Sequence, residues 1–278
     1  MSSRHTVARA AFTLIVVGVL AIQVYPILWV FLTSLRPQAE FAEGNPFSLP
    51  TSLTLENYTR ALEKGNLRLY IKNSLVVTSL SCAAIVVLSL MASYAIEVLR
   101  FRFRNAVLAF FLSGIIVPAQ VALIPLFLTY RSMGILNSYL SLIIPAVGFA
   151  LPISIYLFVS FLKFIPKETI EAAVLDGVNA YSLFFKIVLP MSINTITTVV
   201  FVNGTFIWND FIFANTFVLK NALKTVPLGL QDYVGQMGAT DWTATFAAVS
   251  ITILPILLVF FALNRTIIRG LESGATKG

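Results

Sequence analysis

The sequence predicts an all-α polytopic membrane protein built as one bundle of six transmembrane helices. Composition is the first sign. Of 278 residues, 58% are hydrophobic and only 11% charged, and mean hydropathy is +0.89, far outside the range of soluble domains. Segment length is the second. Six stretches, at 11–33, 73–96, 105–130, 141–162, 188–209 and 243–264, approach or exceed the roughly 20 apolar residues a bilayer-spanning helix needs. Evenness is the third, because strands of a membrane β-barrel would alternate over about ten residues and these runs do not.

The first stretch follows Arg4 and Arg9, as the apolar core of a secretory signal would. Its length, with Tyr25, Pro26 and Trp29 near its far end, predicts a retained anchor. The second carries Cys82 in mid-helix. As the single cysteine, it leaves no intrachain disulfide or thiolate metal site. The third holds Gln120 between Pro118 and Pro125. The fourth is followed by the hydrophilic segment 163–190. The fifth holds Asn194, Asn203, several threonines and the run Trp208-Asn209-Asp210. The sixth leads into the tail 265–278.

Charge placement predicts which ends face the cytoplasm. With the N-terminus inside, the inner segments hold eleven of the nineteen Lys and Arg residues, among them Arg100, Arg102, Arg104, Lys163, Lys167 and Lys186. The inner net charge is +6 and the outer net charge +1. The positive-inside rule therefore predicts N-in and C-in, so the net +7 reports topology and contact with anionic lipid, with no nucleic acid implied.

Segment 163–190 reads KFIPKETIEAAVLDGVNAYSLFFKIVLP and is patterned as a short helix at the membrane surface. Pro166 suits the first helical position, where its missing N–H costs nothing. Glu168 falls in the first turn, where the helix dipole favours a carboxylate. Ile170, Ala173, Val174 and Gly177 fall at i, i+3, i+4, i+7 and predict one apolar face. Glu171, Ala172 and Leu175 form a second face of mostly small residues, open to the close approach of another protein's groove. Gly177 suits the position just past the helix end.

The membrane stretches exclude several functions. After the first, none has Asp, Glu, Lys or Arg clear of its ends except Lys186 and Asp210 at the borders. Ion-coupled carriers bind their ion on such groups near mid-membrane. The phosphate-loop pattern G-x-x-x-x-G-K-[ST] is absent, and His5 is the only histidine, so neither nucleotide binding of that kind nor histidine chemistry is expected. No catalytic or metal-ligating constellation is present, and no enzyme is predicted. Gln120, Asn194, Asn203, Trp208, Asn209 and Asp210 offer amides and an aromatic face suited to a neutral polyhydroxylated solute. Interhelical hydrogen bonding is the alternative use of each.

Glu171-Ala172-Ala173, then Asp176-Gly177, then Ile187-x-Leu189-Pro190 resembles the EAA loop in membrane subunits of ABC importers. The resemblance extends through Pro26-x-x-Trp29, Thr33-Ser34-Leu35-Arg36-Pro37, Glu56-Asn57-Tyr58 and Asn73-Ser74-Leu75. It continues through Pro118-Ala119-Gln120, Gly134-Ile135-Leu136-Asn137 and the C-terminal residues from Gly270. These pieces are similar to the carbohydrate branch, in particular the second permease of maltose-type importers.

The resemblance implies a type I importer bundle. Residues 1–72 would be an anchor helix and first extracytoplasmic loop, 73–264 a five-helix core containing the coupling loop 163–190, and 265–278 a cytoplasmic tail. It implies that Glu168, Glu171, Ala172, Ala173, Asp176, Gly177, Ile187, Leu189 and Pro190 serve coupling to an ATPase. Gly274, Ala275, Thr276, Lys277 and Gly278 would form a second ATPase contact, and 213–242 would be the outer loop touching a binding protein. The implied partners are a homologous second permease, a cytoplasmic ATPase dimer that holds ATP and Mg²⁺, an extracytoplasmic solute-binding protein, and a sugar. The implied location is a bacterial inner membrane. A permease for another solute such as glycerol phosphate, or a standalone carrier or channel, is the alternative.

Overall fold

The computed structural model describes residues 2–63, 65–99, 101–233 and 241–275, with side chains described at Arg9 and from 11 to 264 within those limits. Among the described residues every regular element is helical. The chain runs through α1 (Ser2–Ser34), α2 (Gln38–Glu43), α3 (Glu56–Glu63), α4 (Leu67–Tyr94), α5 (Arg104–Ser113), α6 (Leu123–Ser132) and α7 (Tyr139–Leu162). It continues as α8 (Lys167–Leu175), α9 (Ala180–Leu183), α10 (Leu189–Met191), α11 (Ile193–Trp208), α12 (Ile212–Phe217), α13 (Val226–Gly229) and α14 (Trp242–Ala275).

Four helices are long and apolar enough to cross a membrane unaided: Ala11–Ser34, Leu67–Leu99, Tyr139–Leu162 and Trp242–Asn264. The third and fifth expected spans are not straight helices. Arg104–Ile116 and Ala119–Ser132 meet at 87°, and Ala180–Met191 and Ile193–Trp208 meet at 69°. Proline explains both bends. Pro118 has no N–H and forces the residue before it away from helical geometry, and Val117 is accordingly extended at ψ 113°. Pro190 follows a π-turn at Phe184–Val188, where the i→i−4 ladder is already loosened, and the helix breaks two residues later at Ser192. Counting each bent pair as one span gives six.

Packing divides the chain into two compact units. The first comprises residues 1–68 and 229–254, the second 69–228 and 255–278.

A polar knot just past α1 holds the first unit together. The Arg36 guanidinium, 3% exposed, donates to Glu40 Oε1 at 2.9 Å, the Asn45 carbonyl at 2.9 Å and Ser48 Oγ at 3.0 Å. Glu40 also accepts from the Thr51 N–H and hydroxyl. The Thr51 N–H above all, with Arg36 adding to it, holds the Glu40 carboxyl below its usual range. The fully buried Asn57 donates to the carbonyls of Ser34 and Arg36, which fixes α3 against the end of α1. Arg60 then reaches Asn57 Oδ1 at 2.7 Å, Thr243 Oγ1 at 3.0 Å and Asp241 Oδ2 at 3.1 Å. Asp241 accepts from the Ala244 N–H in turn and so caps the start of α14.

In the second unit α7 is the central element. Ile155 and Val159 pack with Ile96 and the α5 side chains Val107, Leu108 and Phe111. Another side of α7 meets α11, where Asn203 Nδ2 donates to Ser154 Oγ at 3.1 Å. Leu142 joins Val77, Tyr130, Ala214, Phe217 and Leu228 in a separate cluster near the N-terminal end of α7. The motif residues Asn73, Ser74 and Asn137 act there as fasteners. Asn73 donates to the carbonyls of Ala222 and Lys224 and accepts from the Tyr139 hydroxyl. Ser74 Oγ accepts from the Val226 N–H, and Asn137 Oδ1 accepts from the N–H groups of Leu219 and Lys220. Gly134, at φ +68°, closes α6 so that Asn137 can make that turn.

Candidate functional site

The hydrophilic segment folds as α8 followed by the short α9, resting on one hydrophobic cluster. Phe158, Leu162 and Ile165, from the end of α7 and just beyond, meet Leu183 and Val188, with Tyr94 packed among them. Into this base α8 inserts Ala173, 7% exposed, and the half-buried Ile170. The Tyr94 hydroxyl donates to the Ala180 carbonyl at 2.8 Å and its ring packs edge-on against Phe184 at 5.2 Å, so α4 holds α9 in place. Ile187 and Leu189 pack against the same cluster, and Pro190 is exposed.

The ends of α8 are set locally. Pro166 is the cap and not the first helical residue. Its φ of −57° suits a helix, but its ψ of 131° is extended, and the helix begins at Lys167. At the other end Gly177 has φ +76°, its N–H donates to the Val174 carbonyl, and the Val178 N–H donates to the Ala173 carbonyl, both at 3.0 Å. This pair of bonds is a Schellman stop, which needs a residue that tolerates positive φ. The chain then turns straight into α9, whose first turn is capped by Asn179 Oδ1 accepting from the Ser182 N–H at 2.8 Å. Such a cap is worth about 1 kcal/mol.

The rest of α8 is presented outward. Glu168, Glu171, Ala172 and Asp176 are exposed, and neither Glu168 nor Glu171 enters an ion pair among the described residues. Val174, expected on the apolar face, is exposed instead. Leu175 is 87% exposed, and Tyr181 and Phe185 continue the apolar surface onto the next helical turns. The core accepts Ala173 and Ile170, and Val174 and Leu175 are left outside it. The helix is thus wedged into a core on one side and shows two carboxylates beside bare apolar side chains on the other.

The expected pathway residues separate into different places. Asn203, buried, and the half-buried Asp210 line one cleft of about 340 Å³ together with Phe149, Phe206 and Thr225. Thr225 Oγ1 is buried there with no hydrogen-bond partner among the described residues. Trp208 is buried too, but lines a second cleft of about 210 Å³ with Cys82, Gly204 and Pro255. Asn209 is exposed and donates to the Thr205 carbonyl. Gln120 and Asn194 are exposed and line neither cleft.

Of the charges in 213–242, Asp241 is engaged by Arg60, and Lys220 is exposed. In the C-terminal tail, Gly274 and Ala275 close α14, and Thr276, Lys277 and Gly278 lie outside the described residues. The fasteners Asn57, Arg60, Asn73, Ser74 and Asn137 were not singled out as site residues. The polar motifs that carry the family resemblance contain Asn57, Asn73, Ser74 and Asn137, and Arg60 lies outside them.

The chain is 32% identical to the sulfoquinovosyl glycerol transport system permease protein of Agrobacterium fabrum, over 91% of this chain and 89% of that one. It is 29% identical to the trehalose/maltose transport system permease protein of Thermococcus litoralis, over 95% and 96%. Its fold matches a chain of a bacterial ABC transporter involved in the import of the acidic polysaccharide alginate, with a TM-score of 0.81, 20% identity and coverage of 92% and 95%. Residues 84–273, which contain α8 and both clefts' α11 walls, match the family described as binding-protein-dependent transport system inner membrane component. The chain belongs to that family of multi-pass ABC importer permeases, which transport solutes and are not enzymes.

Proposed function

We propose that this chain is the permease of an ATP-driven, binding-protein-dependent importer of a di- or oligosaccharide, with α8 as its coupling helix. The observation that carries the proposal is α8 itself, anchored through Ile170 and Ala173 and presenting Glu168, Glu171, Ala172 and Leu175 outward. The saccharide is supported by the names of the relatives above. It is also supported by the cleft at Asn203 and Asp210, which has amide, carboxyl and aromatic groups and no Lys or Arg to match a phosphate.

The chain has no phosphate loop, so ATP and Mg²⁺ belong to a separate cytoplasmic ATPase dimer. A homologous second permease and an extracytoplasmic solute-binding protein complete the assembly. Closing of the ATPase dimer draws the two coupling helices together, and the permease interface switches from inward-open to outward-open. The bistable element is that interface, and α8 is the lever on it. Asp176 and Gly177 end the lever, Ile187 and Leu189 seat it on the core, and Pro190 follows them at the surface. The tail from Gly274 to Gly278 is a second ATPase contact. The N- and C-termini lie on the cytoplasmic side of a bacterial inner membrane.

The test is Glu171→Lys. Glu171 is exposed and outside any ion pair, so the permease's own stability should change by no more than about 0.5 kcal/mol. Reversal of its charge should cost co-purification of the ATPase and most sugar uptake. Full retention of the ATPase with normal uptake would remove α8 from the coupling role.

A further inference from the structure

We propose that residues 46–55, the loop following α2, lie in the headgroup–acyl boundary of the bilayer at the Ser34 end of α1. The loop is then a membrane-surface anchor and not solvated chain. The proposal is independent of which side of the membrane that end faces.

Composition and exposure come first. From Gly44 to Leu55 the sequence has no charged residue, yet Phe47, Leu49, Leu53 and Leu55 are 71, 73, 69 and 70% exposed. Four large apolar side chains so exposed in one short uncharged loop are an arrangement that water does not favour. A lipid boundary suits it because uncharged loop backbone there still reaches water and headgroups.

Continuity with a membrane span comes second. Residues 11–28 of the apolar stretch of α1 are all exposed within this chain. The loop folds back on the last turns of that helix, where Tyr25, Leu28, Trp29 and Leu32 face Phe47 and Leu49 across a shallow groove. Arg36 enforces the fold-back, since its donors to the Asn45 carbonyl and Ser48 Oγ tie the loop's start to the end of α1. The same bonds, with Glu40, turn the Arg36 guanidinium inward, so this cation is not presented at the loop's surface.

Aromatic chemistry is the third observation. Two of the three tryptophans gather here. The Trp29 ring lies 4.9 Å from Phe246 and 5.9 Å from Phe47, and Trp242 lies 6.1 Å from Phe246. Trp29 Nε1 donates to the Pro46 carbonyl at 3.2 Å, which seats the indole on the loop. Tryptophan belts of this kind sit at the membrane–water interface, with the ring body in hydrocarbon and the N–H satisfied. They set the level of the bilayer surface at residues 46–55.

The experiment places a polarity-sensitive fluorophore on the intact transporter in lipid vesicles, in a cysteine-free background that includes Cys82→Ser. Leu49→Cys and Leu53→Cys carry the label, with Leu20→Cys as the acyl-depth reference and Glu43→Cys as the aqueous one. Ser52→Cys removes no apolar side chain and decides the matter if the leucine variants do not assemble. Emission at 49, 52 and 53 should be shifted to the blue of that at 43. It should be quenched severalfold more by a lipid with its nitroxide near the headgroup than by one with a nitroxide at the chain end, with the reverse order at 20. Emission matching position 43, with quenching by aqueous iodide alone, would overturn the proposal in favour of a solvated loop. A blue shift with quenching by neither lipid would overturn it in favour of a protein cover, from the second permease or the binding protein.

Discussion

Gly177 decides how α8 ends, and its role separates backbone strain from packing. A Cβ placed there would meet nothing within 4 Å, so any penalty for a side chain comes from φ +76° alone. For alanine that penalty is roughly 1 kcal/mol or more. For asparagine, which tolerates the left-handed region, it is smaller. Gly177→Ala should therefore speed hydrogen exchange at the Val178 amide, which bonds to the Ala173 carbonyl, by about fivefold. Gly177→Asn should speed it less. Equal protection in all three proteins would show that the stop is held by other contacts. This glycine was legible in the sequence because few residue types fit its backbone and glycine fits it without strain. Pro166 was legible only to within one position, since proline's fixed φ suits both a cap and a first helical residue. Val174 was assigned to the buried face by spacing. Which of two adjacent apolar residues a cluster accepts depends on Phe158, Leu162 and Leu183, and the local pattern contains none of them.

At the scale of elements, the Arg60 side chain joins α3 to the start of α14 in a way no local pattern announces, because Asp241 lies 181 residues away. Its fork serves Asn57, Thr243 and Asp241 together, and Asn57 and Thr243 are fully buried. Arg60→Ala removes donors from buried acceptors and leaves a half-buried carboxylate with less compensation. The expected loss is about 2 kcal/mol, the range for hydrogen bonds to charged groups. Arg60→Lys should recover only part of it, because an ammonium cannot span three acceptors. The exposed pair Arg68–Glu63, at 3.9 Å, is the control, and Glu63→Gln should leave unfolding unchanged. Thermal unfolding of the detergent-solubilised permease distinguishes these cases, and an Arg60→Ala protein as stable as the Glu63→Gln protein would show the knot to be idle. The bends had a different kind of legibility. Pro118 and Pro190 stood in plain view, but hydropathy sums along a stretch and is blind to direction, so 105–130 and 188–209 registered as straight spans.

At the scale of the whole molecule, fold class was legible because lipid demands internally hydrogen-bonded, apolar segments of fixed length, and the chain has six when each bent pair counts once. Sidedness rests on the excess of Lys and Arg in alternate loops, and the structure adds a way to test it. Ala172 is exposed on α8, and Lys220 is exposed beyond α11, so both sites accept a small label without disturbing a core. One span, the bent pair Ala180–Met191 and Ile193–Trp208, separates them. In intact cells a membrane-impermeant thiol reagent should therefore modify Lys220→Cys and spare Ala172→Cys, and should modify both after the membrane is permeabilised. Labelling of Ala172→Cys alone from outside would invert the topology and place α8 where no cytoplasmic ATPase could grip it. Labelling of both sites from outside would mean that the bent pair does not cross the membrane but dips in and returns. The positive-inside rule favours the first pattern. Arg102, Arg104, Lys163, Lys167 and Lys186 all fall on the α8 side of the bilayer, so inverting the chain would move five cations across it together.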